Sequence, residues 1–568
     1  MFIVWGIYII GMYLYSWTRY GKRYWSIRKK ERVNGKPTVV MNKYIGTDQQ
    51  LIEKLLSGEI NRLDGIEVES YSFGGIAAFL AADQELGLTS VIADVTGSLA
   101  TALASLAFIE GRSEEPVSKN GMEEWYSTSI LQHLIPKMPS LSCRSYLYHM
   151  DKLTDENVRE ITFRLAKRMI ELGHVPSLVF LDTTNFSTEQ QPSQDDPARL
   201  LPRAGHPKSG DFQAKLVGLA TAVSEQLLPV FHEVYPGNKN DAELFQEIID
   251  SMVDCLLKLG IASEDLVFVF DKGVNSEDGW KALTGKQVHF VSSLKRNQVQ
   301  DLLARPIKSY KKLLTTEQDE EISAFRVKRT VMGIAGSVVV TYNESSRKKQ
   351  TADYEKAKER FLSECRDIAE KMSKPHRGKK STIQSVTERI EDVLPKKWRG
   401  VFKYHVGSTL DDGFTEFAIK SWVEKKKEQE IQLGFGKTII FTDRTDWDDE
   451  KIARTYLARS AMEGDYHVLK DVLLMPVMPI FHQLDPRIKV HGFLCVMGLL
   501  FYRWIQLRIQ EKLKEKIPID RLARVLKGIS AVSLIDTRAK KVKYVLERMG
   551  PEESRLVTAL DLGRFLPK

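Results

Sequence analysis

"SLVFLD" at residues 177–182 and "LVFVFD" at residues 266–271 are short apolar runs that each end in an aspartate. Polar or glycine-containing turn residues follow both runs, "TTN" after the first and "KGVNS" after the second. An unbroken apolar run of this length is typical of a strand that other elements cover on both faces. The two runs therefore predict central strands of one sheet, with Asp182 and Asp271 at their carboxyl ends.

The sequence around these runs predicts further strands of the same sheet. Two more strands are indicated by "FQAKLVGLATAV" and "LLPVFHEVYPG". An amphipathic helix is indicated by "DAELFQEIIDSMVDCLLKLG", and a strand after Asp271 by "QVHFVSSLK". Three strands, a helix and then a strand is the order of the RNase H-like fold, in which the first and fourth strands are neighbours. The fold class predicted here is therefore α/β with an RNase H-like core.

Neighbouring strands would bring the carboxylates of Asp182 and Asp271 side by side. Two close carboxylates repel each other unless a cation lies between them. Mg²⁺ suits such a pair, because it binds one or two carboxylates together with water and phosphate oxygens. Each aspartate alone has a simpler explanation: Asp182 could cap a helix and Asp271 could form a turn. These explanations account less well for two aspartates at matching strand ends.

A third acid lies in "YLARSAMEGDYHVLK" at residues 456–470. At about 100° per residue, a single helix would place five side chains of this stretch on one face. They are Tyr456, Arg459, Glu463, Tyr466 and Lys470. A solvated face with spaced ion pairs is the ordinary explanation for such a stripe.

The same stretch matches Y-x2-R-x3-E-x6-K at every spacing. It thereby resembles the YREK signature of a large group of insertion-sequence DDE transposases. Four other stretches also resemble sequences of that family: "LDTTNF", "FDKGVNS", "GHPKSGDFQAKLVG" and "YPGNKNDAEL". The chain departs from the common family text at Ser460, where a bulkier residue often follows the arginine.

The resemblance implies a function for each residue of the set. Asp182, Asp271 and Glu463 would be the catalytic residues and would coordinate two divalent ions, Mg²⁺ or Mn²⁺. The residues that would contact the backbone of the transposon end are Tyr456, Arg459 and Lys470. In relatives a tryptophan of the insertion receives a flipped base, and the candidates are Trp398, Trp422 and Trp447, for each of which core packing is the stronger expectation.

The resemblance spans most of the chain and suggests its domain organisation. We expect the RNase H-like core in two parts, with a β-rich insertion between Asp271 and Glu463, an N-terminal helical domain and C-terminal helices. The predicted segments are 1–46, an N-terminal β segment; 47–172, a helical DNA-binding domain; 173–296, the first part of the core; 297–430, a basic mixed α/β insertion; 431–475, the second part of the core; and 476–568, a helical region.

Composition fits a folded protein with a polyanionic partner. Of 568 residues, 43% are hydrophobic and 28% charged, and the formal net charge is +8. Residues 295–400, which include the basic loop "KPHRGKKS", hold 25 Lys and Arg against 15 Asp and Glu. Such a local excess is typical of nucleic-acid binding, although a solvated surface has a similar composition. The four cysteines lie far apart, which indicates neither a disulfide framework nor a zinc site.

The N-terminal residues "MFIVWGIYIIGMYLYSW" form an apolar run of about 17 residues, short for a membrane span. An anchor is therefore possible but not favoured. From Met12 onward, alternating residues and the turn "NGK" predict a β-hairpin or small sheet. We expect Met12 to be the natural start, with residues 1–11 from an upstream codon. The apolar stretch before Arg503 is predicted to be a buried core helix.

These observations predict a transposase that binds the terminal inverted repeats of its own element, cuts the DNA with metal ions and joins it to a target. The expected partners are double-stranded DNA and a second copy of the chain in the synaptic complex. The expected location is the prokaryotic cytoplasm, at the nucleoid. The alternatives are an RNase H-like nuclease without strand transfer, an inactive domesticated DNA-binding protein, and a membrane-anchored protein.

Overall fold

The computed structural model describes most of the chain. The described residues are 8–9, 12–19, 22–33, 36–56, 66–190, 199–205, 215–316, 319–372, 382–411, 414–537 and 540–568. Several sequence predictions lie wholly or partly outside these ranges. They are the start of the chain at 1–11, the turn at 34–36, the stretch "GHPKSGDF" at 205–212 and the basic loop at 374–381.

Strands form throughout the described ranges. They are β1 (Tyr8–Ile9), β2 (Met12–Arg19), β3 (Lys22–Val33), β4 (Lys36–Thr47), β5 (Ile66–Ser72), β6 (Leu178–Thr188), β7 (Arg203–Ala204), β8 (Lys215–Ser224), β9 (Pro229–Pro236), β10 (Val267–Phe270), β11 (His289–Ser293), β12 (Lys311–Thr315), β13 (Glu321–Val331), β14 (Ile334–Asn343), β15 (Phe402–Asp411), β16 (Phe414–Val423), β17 (Lys437–Thr442), β18 (Ser530–Asp536) and β19 (Lys541–Leu546).

Helices connect and cover these strands. They are α1 (Asp48–Leu56), α2 (Gly74–Leu86), α3 (Leu88–Thr96), α4 (Leu99–Glu114), α5 (Met122–Thr128), α6 (Leu131–Leu134), α7 (Cys143–Asp151), α8 (Asp155–Glu171), α9 (Asp241–Lys258), α10 (Glu277–Gly285), α11 (Gln300–Leu303), α12 (Glu344–Met372), α13 (Ile383–Val393), α14 (Lys425–Gln432), α15 (Asp449–Ala458), α16 (Met462–Lys470), α17 (Asp485–Leu513), α18 (Ile519–Lys527) and α19 (Pro551–Leu560).

The largest sheet contains both aspartate-bearing runs. Its strands lie in the order β12-β13-β14-β17-β11-β10-β6-β8-β7, and β9 also pairs with β8. Strands β6, β8 and β9 are antiparallel neighbours, whereas β10 runs parallel to β6 and β11 parallel to β10. The prediction that the two apolar runs form neighbouring strands is confirmed.

Both faces of the central strands are buried, as their unbroken apolar sequence predicts. Phe180 of β6 and Val269 of β10 pack with Ile452 of α15 on one face. On the other face, alternate residues of the same strands join a second core with α9, α10 and α17. This packing holds the edge that carries Asp182 and Asp271 between layers of helix.

Strand β6 differs from its prediction at one end. It continues from Asp182 to Thr188, and all of these residues pair with β8. Strand β10 ends at Phe270, directly before Asp271. Asp182 therefore lies within its strand, at the point where β10 leaves the sheet and β8 alone remains as a partner.

The predicted insertion at 297–430 contributes to two sheets. Strands β12 to β14 extend the central sheet through the pairing of β14 with β17. The rest of the span forms a separate core of α12, α13, α14 and the β15–β16 hairpin. The sequence did not reveal this division, because strand pairing between distant segments leaves no local pattern.

The N-terminal and C-terminal regions share a small sheet. Strand β5 lies within the predicted helical domain but pairs with β18, which in turn pairs with β19. Helix α17 is buried among α2, α4, α7 and α8, which confirms the predicted core helix. Among the described residues, α17 and the bent pair α2–α3 have the length and composition of a membrane span, but 94% of the apolar window of α17 is buried in the protein.

Candidate active site

Asp182 and Asp271 lie side by side on neighbouring parallel strands. The register pairs Phe180 of β6 with Val269 of β10, and each aspartate follows two residues later. Both side chains are only partly exposed. The sheet therefore brings together two acids that are 89 positions apart in the sequence.

The carboxylate of Asp271 accepts hydrogen bonds from two hydroxyl groups. Ser293 Oγ, at the end of β11, donates to Asp271 Oδ1 over 2.7 Å, and Tyr456 Oη donates to the same oxygen over 3.2 Å. Burial alone would raise the pKa of Asp271. The bonds from Ser293 and the Lys272 amide, with the positive charge of Arg459, outweigh burial and lower this pKa. Asp271 is thus held in its ionised form.

Asp182 is bound through both its side chain and its backbone. Its Oδ1 accepts a hydrogen bond from the Thr183 amide over 2.9 Å. Its backbone carbonyl accepts one from the hydroxyl of Tyr466 over 2.5 Å. The strand and helix α16 therefore both fix the position of this carboxyl group.

Arg459 lies beside the two acids. Its Nη1 is 3.7 Å from Asp182 Oδ2, and its guanidinium carbon lies 5.7 Å from the centre of the Tyr456 ring. The arginine side chain is only 16% exposed, and its Nε is buried without a hydrogen-bond partner. A positive charge thus lies next to the acid pair, where a cation is expected to be most stable.

Glu463 lies apart from this group. It belongs to the first turn of α16, and its side chain is exposed. Within the described ranges, no three Asp, Glu, His or Cys side chains are positioned to hold a metal ion together. The structure therefore groups Tyr456 and Arg459 with Asp182 and Asp271, and it does not bring Glu463 into contact with the pair.

A break in the helix explains this arrangement. The sequence pattern predicts one helix over 456–470, but α15 ends at Ala458 and a 3-10 turn, Arg459–Ala461, separates it from α16. The turn changes the direction of the side chains that follow it relative to those of α15. Residues 456 and 463 therefore do not share the regular face that the spacing suggests.

Helix α16 is held by two buried contacts that the sequence did not assign to the site. The hydroxyl of Tyr466 lies 2.9 Å from Thr221 Oγ1, besides its bond to Asp182. Asp465 is 1% exposed and accepts a hydrogen bond of 2.6 Å from Arg503 Nε on α17. Only Tyr466 left a signal in the sequence, as a member of the polar stripe.

Lys470 and Asp241 complete this edge of the sheet. Lys470 ends α16, with Nζ 5.8 Å from the centre of the Phe186 ring on β6. Asp241 is the first residue of α9, and its Oδ1 accepts a hydrogen bond of 2.8 Å from Thr183 Oγ1. Asp241 belongs to "YPGNKNDAEL", a stretch that resembles sequences of the family. Through Asp241, this stretch contacts the site.

The candidate tryptophans differ in exposure. Trp398 and Trp447 are each 7% exposed and belong to cores, as predicted. Trp422 is 45% exposed on strand β16. The prediction of core packing is therefore wrong for Trp422, because the two-stranded β15–β16 sheet leaves this side chain on its outer surface.

The acid pair fits a divalent metal ion. Oxygen ligands from one or two carboxylates are what Mg²⁺ and Mn²⁺ prefer, and Arg459 already supplies a positive charge beside these two. Ionised Asp271 is ready to bind a cation without losing a proton. The donor set is therefore compatible with metal-dependent cleavage of a phosphodiester.

Comparison with protein families identifies the same region. A family model described as the transposase DDE domain matches residues 173–475, more than half of the chain. Comparison with curated proteins gives no match. The matched span contains the acid pair, the arginine and both halves of the broken helix. The chain belongs to the DDE transposase family.

Proposed function

We propose that this transposase binds the terminal inverted repeats of its own insertion sequence, cleaves the DNA there and joins the cut ends to target DNA. The observation that carries the proposal is the pairing of Asp182 and Asp271 with Arg459 alongside. Ionised carboxylates can bind a metal ion, and a guanidinium beside them can bind a DNA phosphate. We propose the prokaryotic cytoplasm, at the nucleoid, as its location.

The proposal includes an RNase H-like core and the YREK assignment. The antiparallel β6, β8 and β9, followed by parallel β10 and β11, support this core. The intact Y-x2-R-x3-E-x6-K spacing supports the assignment of the signature. The helical span 47–172 is proposed to contribute to DNA binding in the complex.

Each residue of the set has a distinct part in this mechanism. Two Mg²⁺ or Mn²⁺ ions, when bound, would supply an activated water or 3′-hydroxyl and stabilise the leaving oxygen. Asp182 and Asp271 would hold these ions, and the hydrogen bonds from Tyr456 and Ser293 fix the carboxylate of Asp271. Glu463 would complete the ligand set.

In this proposal, a conformational change of the chain brings Glu463 to Asp182 and Asp271. The 3-10 turn at Arg459–Ala461 separates Glu463 from α15, so a local change in this turn and in the first turn of α16 would alter the direction of Glu463 while Asp465 and Tyr466 keep their buried contacts. The same change would move Arg459 from the acid pair to a DNA phosphate. Lys470, at the end of α16, would bind the backbone further along.

Substitution of the acids tests the catalytic assignment. The variants Asp182→Asn, Asp271→Asn and Glu463→Gln are expected to lose Mg²⁺-dependent cleavage of DNA that carries the inverted repeats flanking the reading frame. They should still bind that DNA, because the acids hold metal and not phosphate. Glu450→Gln is the matched control, since Glu450 is an exposed acid of α15 paired with Arg454. Full cleavage by any of the first three variants would refute its assignment.

Strand transfer distinguishes a transposase reaction from simple hydrolysis. Wild-type protein given a pre-cut end and a supercoiled plasmid is expected to join the two. Cleavage without any joined product would favour the nuclease alternative. Joining two ends also requires at least two copies of the chain, so the product complex should contain a dimer by light scattering.

A further inference from the structure

The N-terminal sheet β1–β4 carries a concentrated positive charge outside the matched transposase domain. Residues 1–46 contain nine Lys and Arg and a single acidic residue, Glu31. The formal net charge of the entire chain is +8, so this short segment carries as much net positive charge as the whole protein. A basic segment of this density is the electrostatic footprint of a polyanion partner.

The neighbouring helical span has the opposite charge. Residues 47–172 contain 11 Lys and Arg against 19 Asp and Glu. An excess of acids over bases weakens the attraction of this span for phosphates, so its part in DNA binding is to support a contact made elsewhere. Of the two N-terminal segments, the sheet is therefore the one that electrostatics favours as the first contact with DNA.

One face of the sheet combines aromatic rings in a continuous row. The register places Trp17 opposite Tyr24, and Tyr15 in line with Ser26 and Tyr44. The ring centres of Tyr15 and Trp17 are 6.0 Å apart, and those of Trp17 and Tyr24 are 5.8 Å apart. We call this surface the aromatic face, and its rings are Tyr13, Tyr15, Trp17, Tyr24 and Tyr44.

Cations lie on the same face. The guanidinium carbon of Arg28 is 3.6 Å from the centre of the Tyr15 ring, and Arg28 Nε donates a hydrogen bond of 3.1 Å to Asn42 Oδ1. Lys30 Nζ lies 5.4 Å from the centre of the Tyr13 ring. Strand alternation puts Lys22 on this face too. Contact with the rings holds these charges in place, so less side-chain entropy is lost when they bind an anion.

The opposite face of the sheet has a partner within the chain. Helix α1 packs on β3 and β4, and Trp25 Nε1 donates a hydrogen bond of 2.5 Å to Asp48 Oδ1 at the start of that helix. On the aromatic face, by contrast, Tyr44 is 56% exposed. The two faces of the sheet thus differ: α1 packs on one, and an exposed ring lies on the other.

We propose that the aromatic face binds double-stranded DNA through its phosphates and so provides a docking surface for the transposase on its substrate. Arg28 and Lys30 lie over the Tyr15 and Tyr13 rings, and Tyr15 and Tyr24 stack on Trp17, so these ring faces are already occupied. Unpaired bases need an open ring face, whereas phosphates need donors and cations. The proposal rests on DNA as the substrate of the proposed function, but it concerns binding and not cleavage.

Lysine labelling of the wild-type protein tests the surface without a substitution. The protein is treated with an acetylating reagent, with and without a fluorescein-labelled DNA duplex of random sequence, and the modified lysines are identified by mass spectrometry. The duplex should protect Lys22 and Lys30 on the aromatic face. Lys29, on the opposite face of the same strand, should react equally in both samples. Equal protection of all three lysines, or of none, would overturn the proposal.

A pair of double variants tests the energetics. Arg28→Gln/Lys30→Gln removes two charges from the aromatic face, and the control Arg23→Gln/Lys29→Gln removes two from the opposite face of the same strand. The first should weaken duplex binding about tenfold and lower the slope of log affinity against log salt concentration by about one unit for each phosphate that is no longer bound. The control should change neither quantity appreciably. Circular dichroism and thermal melting show whether each variant folds.

The outcomes also separate this proposal from the proposed function. Equal losses in both double variants would indicate a general charge effect and would overturn the docking surface. Tighter binding of the single strand than of the duplex would overturn it as well. Loss of cleavage in Asp182→Asn with unchanged duplex binding would support the catalytic assignment, whichever result the sheet variants give.

Discussion

Nη1 of Arg459 lies 3.7 Å from Oδ2 of Asp182, and the same guanidinium stabilises the ionised form of Asp271. The arginine thus balances the charge of the two acids in this conformation. A metal ion that binds the acids would compete with this positive charge. In turn, a DNA phosphate that attracts Arg459 would leave the acids free for metal.

Removal of this arginine charge should strengthen metal binding in the absence of DNA. Arg459→Gln is expected to tighten Mn²⁺ binding about tenfold, equivalent to about 1.4 kcal/mol, because the competing cation is gone. Isothermal titration and Mn²⁺ electron paramagnetic resonance both measure this affinity. Cleavage by the variant should nevertheless fall, because glutamine cannot form the ion pair with the DNA phosphate.

Arg454→Gln on α15 is the control for this change. Arg454 is exposed and pairs with Glu450, so its loss should leave Mn²⁺ affinity unchanged. Unchanged or weaker Mn²⁺ binding in Arg459→Gln would contradict competition between the arginine and the metal ion.

The hydroxyl of Tyr466 joins α16 to the strand of Asp182. Tyr466→Phe removes the bonds to the Asp182 carbonyl and to Thr221, and should lower the free energy of unfolding by about 1 kcal/mol. Cleavage should fall further, by about tenfold to a hundredfold, since the metal-binding acid loses its alignment. Chemical denaturation and a single-turnover cleavage assay measure the two effects.

A tyrosine elsewhere separates alignment from stability. Tyr126 donates a similar hydrogen bond of 2.8 Å to the Ile135 carbonyl within the helical region. Tyr126→Phe should cost similar stability and leave the cleavage rate unchanged. If both variants lose cleavage equally, Tyr466 acts through stability alone.

The sequence was sufficient to predict the core of this site. Unbroken apolar runs specify strands buried on both faces, and their order implies which strands are neighbours, so Asp182 and Asp271 could be paired from the sequence alone. The resemblance to the family signature, and not the polar stripe alone, implied that Arg459 belongs to the same site. The strand assignments follow from local patterns.

What the sequence did not predict depends on contacts between distant segments. The helical spacing of the polar stripe continues through Arg459–Ala461, so it gives no sign of the 3-10 turn that separates Glu463 from α15. The Asp465–Arg503 pair joins two helices through a buried ion pair, and neither residue predicts the other from its own surroundings. The addition of β12 to β14 to the central sheet likewise depends on non-local pairing.

Glu110 makes the stability of the helical region depend on pH. Its side chain is fully buried in α4, and neither carboxylate oxygen has a hydrogen-bond partner. Burial, with the nearby Glu114 and Asp83, raises its pKa well above 4.5. The folded state therefore holds a proton that the unfolded state releases, so the free energy of unfolding should fall as the pH rises above 4.5 towards the raised pKa.

Glu110→Gln should flatten this pH dependence and raise the free energy of unfolding at neutral pH. Urea denaturation at several pH values measures both effects. Glu124→Gln, at an exposed acid of α5, is the control and should keep the wild-type slope. A wild-type curve that stays level over this range would show that Glu110 does not control the stability.

Trp422 is the candidate for contact with a flipped base, because it is the exposed member of the three candidate tryptophans. Stacking of a base on an aromatic ring contributes about 1–3 kcal/mol, so Trp422→Ala should slow cleavage about tenfold or more without loss of stability. 2-Aminopurine placed at the cleavage site should fluoresce less when it stacks on Trp422, and this quenching should be absent in the variant.

Two controls decide whether exposure and position both matter for this tryptophan. Tyr148, 58% exposed on α7, is another exposed aromatic residue, and Tyr148→Ala should leave both cleavage and 2-aminopurine quenching unchanged. Trp398→Ala should instead destabilise the core of α12, α13 and β15, because that ring is buried there. If Trp422→Ala quenches 2-aminopurine as strongly as the wild-type protein does, Trp422 is not the residue on which the flipped base stacks.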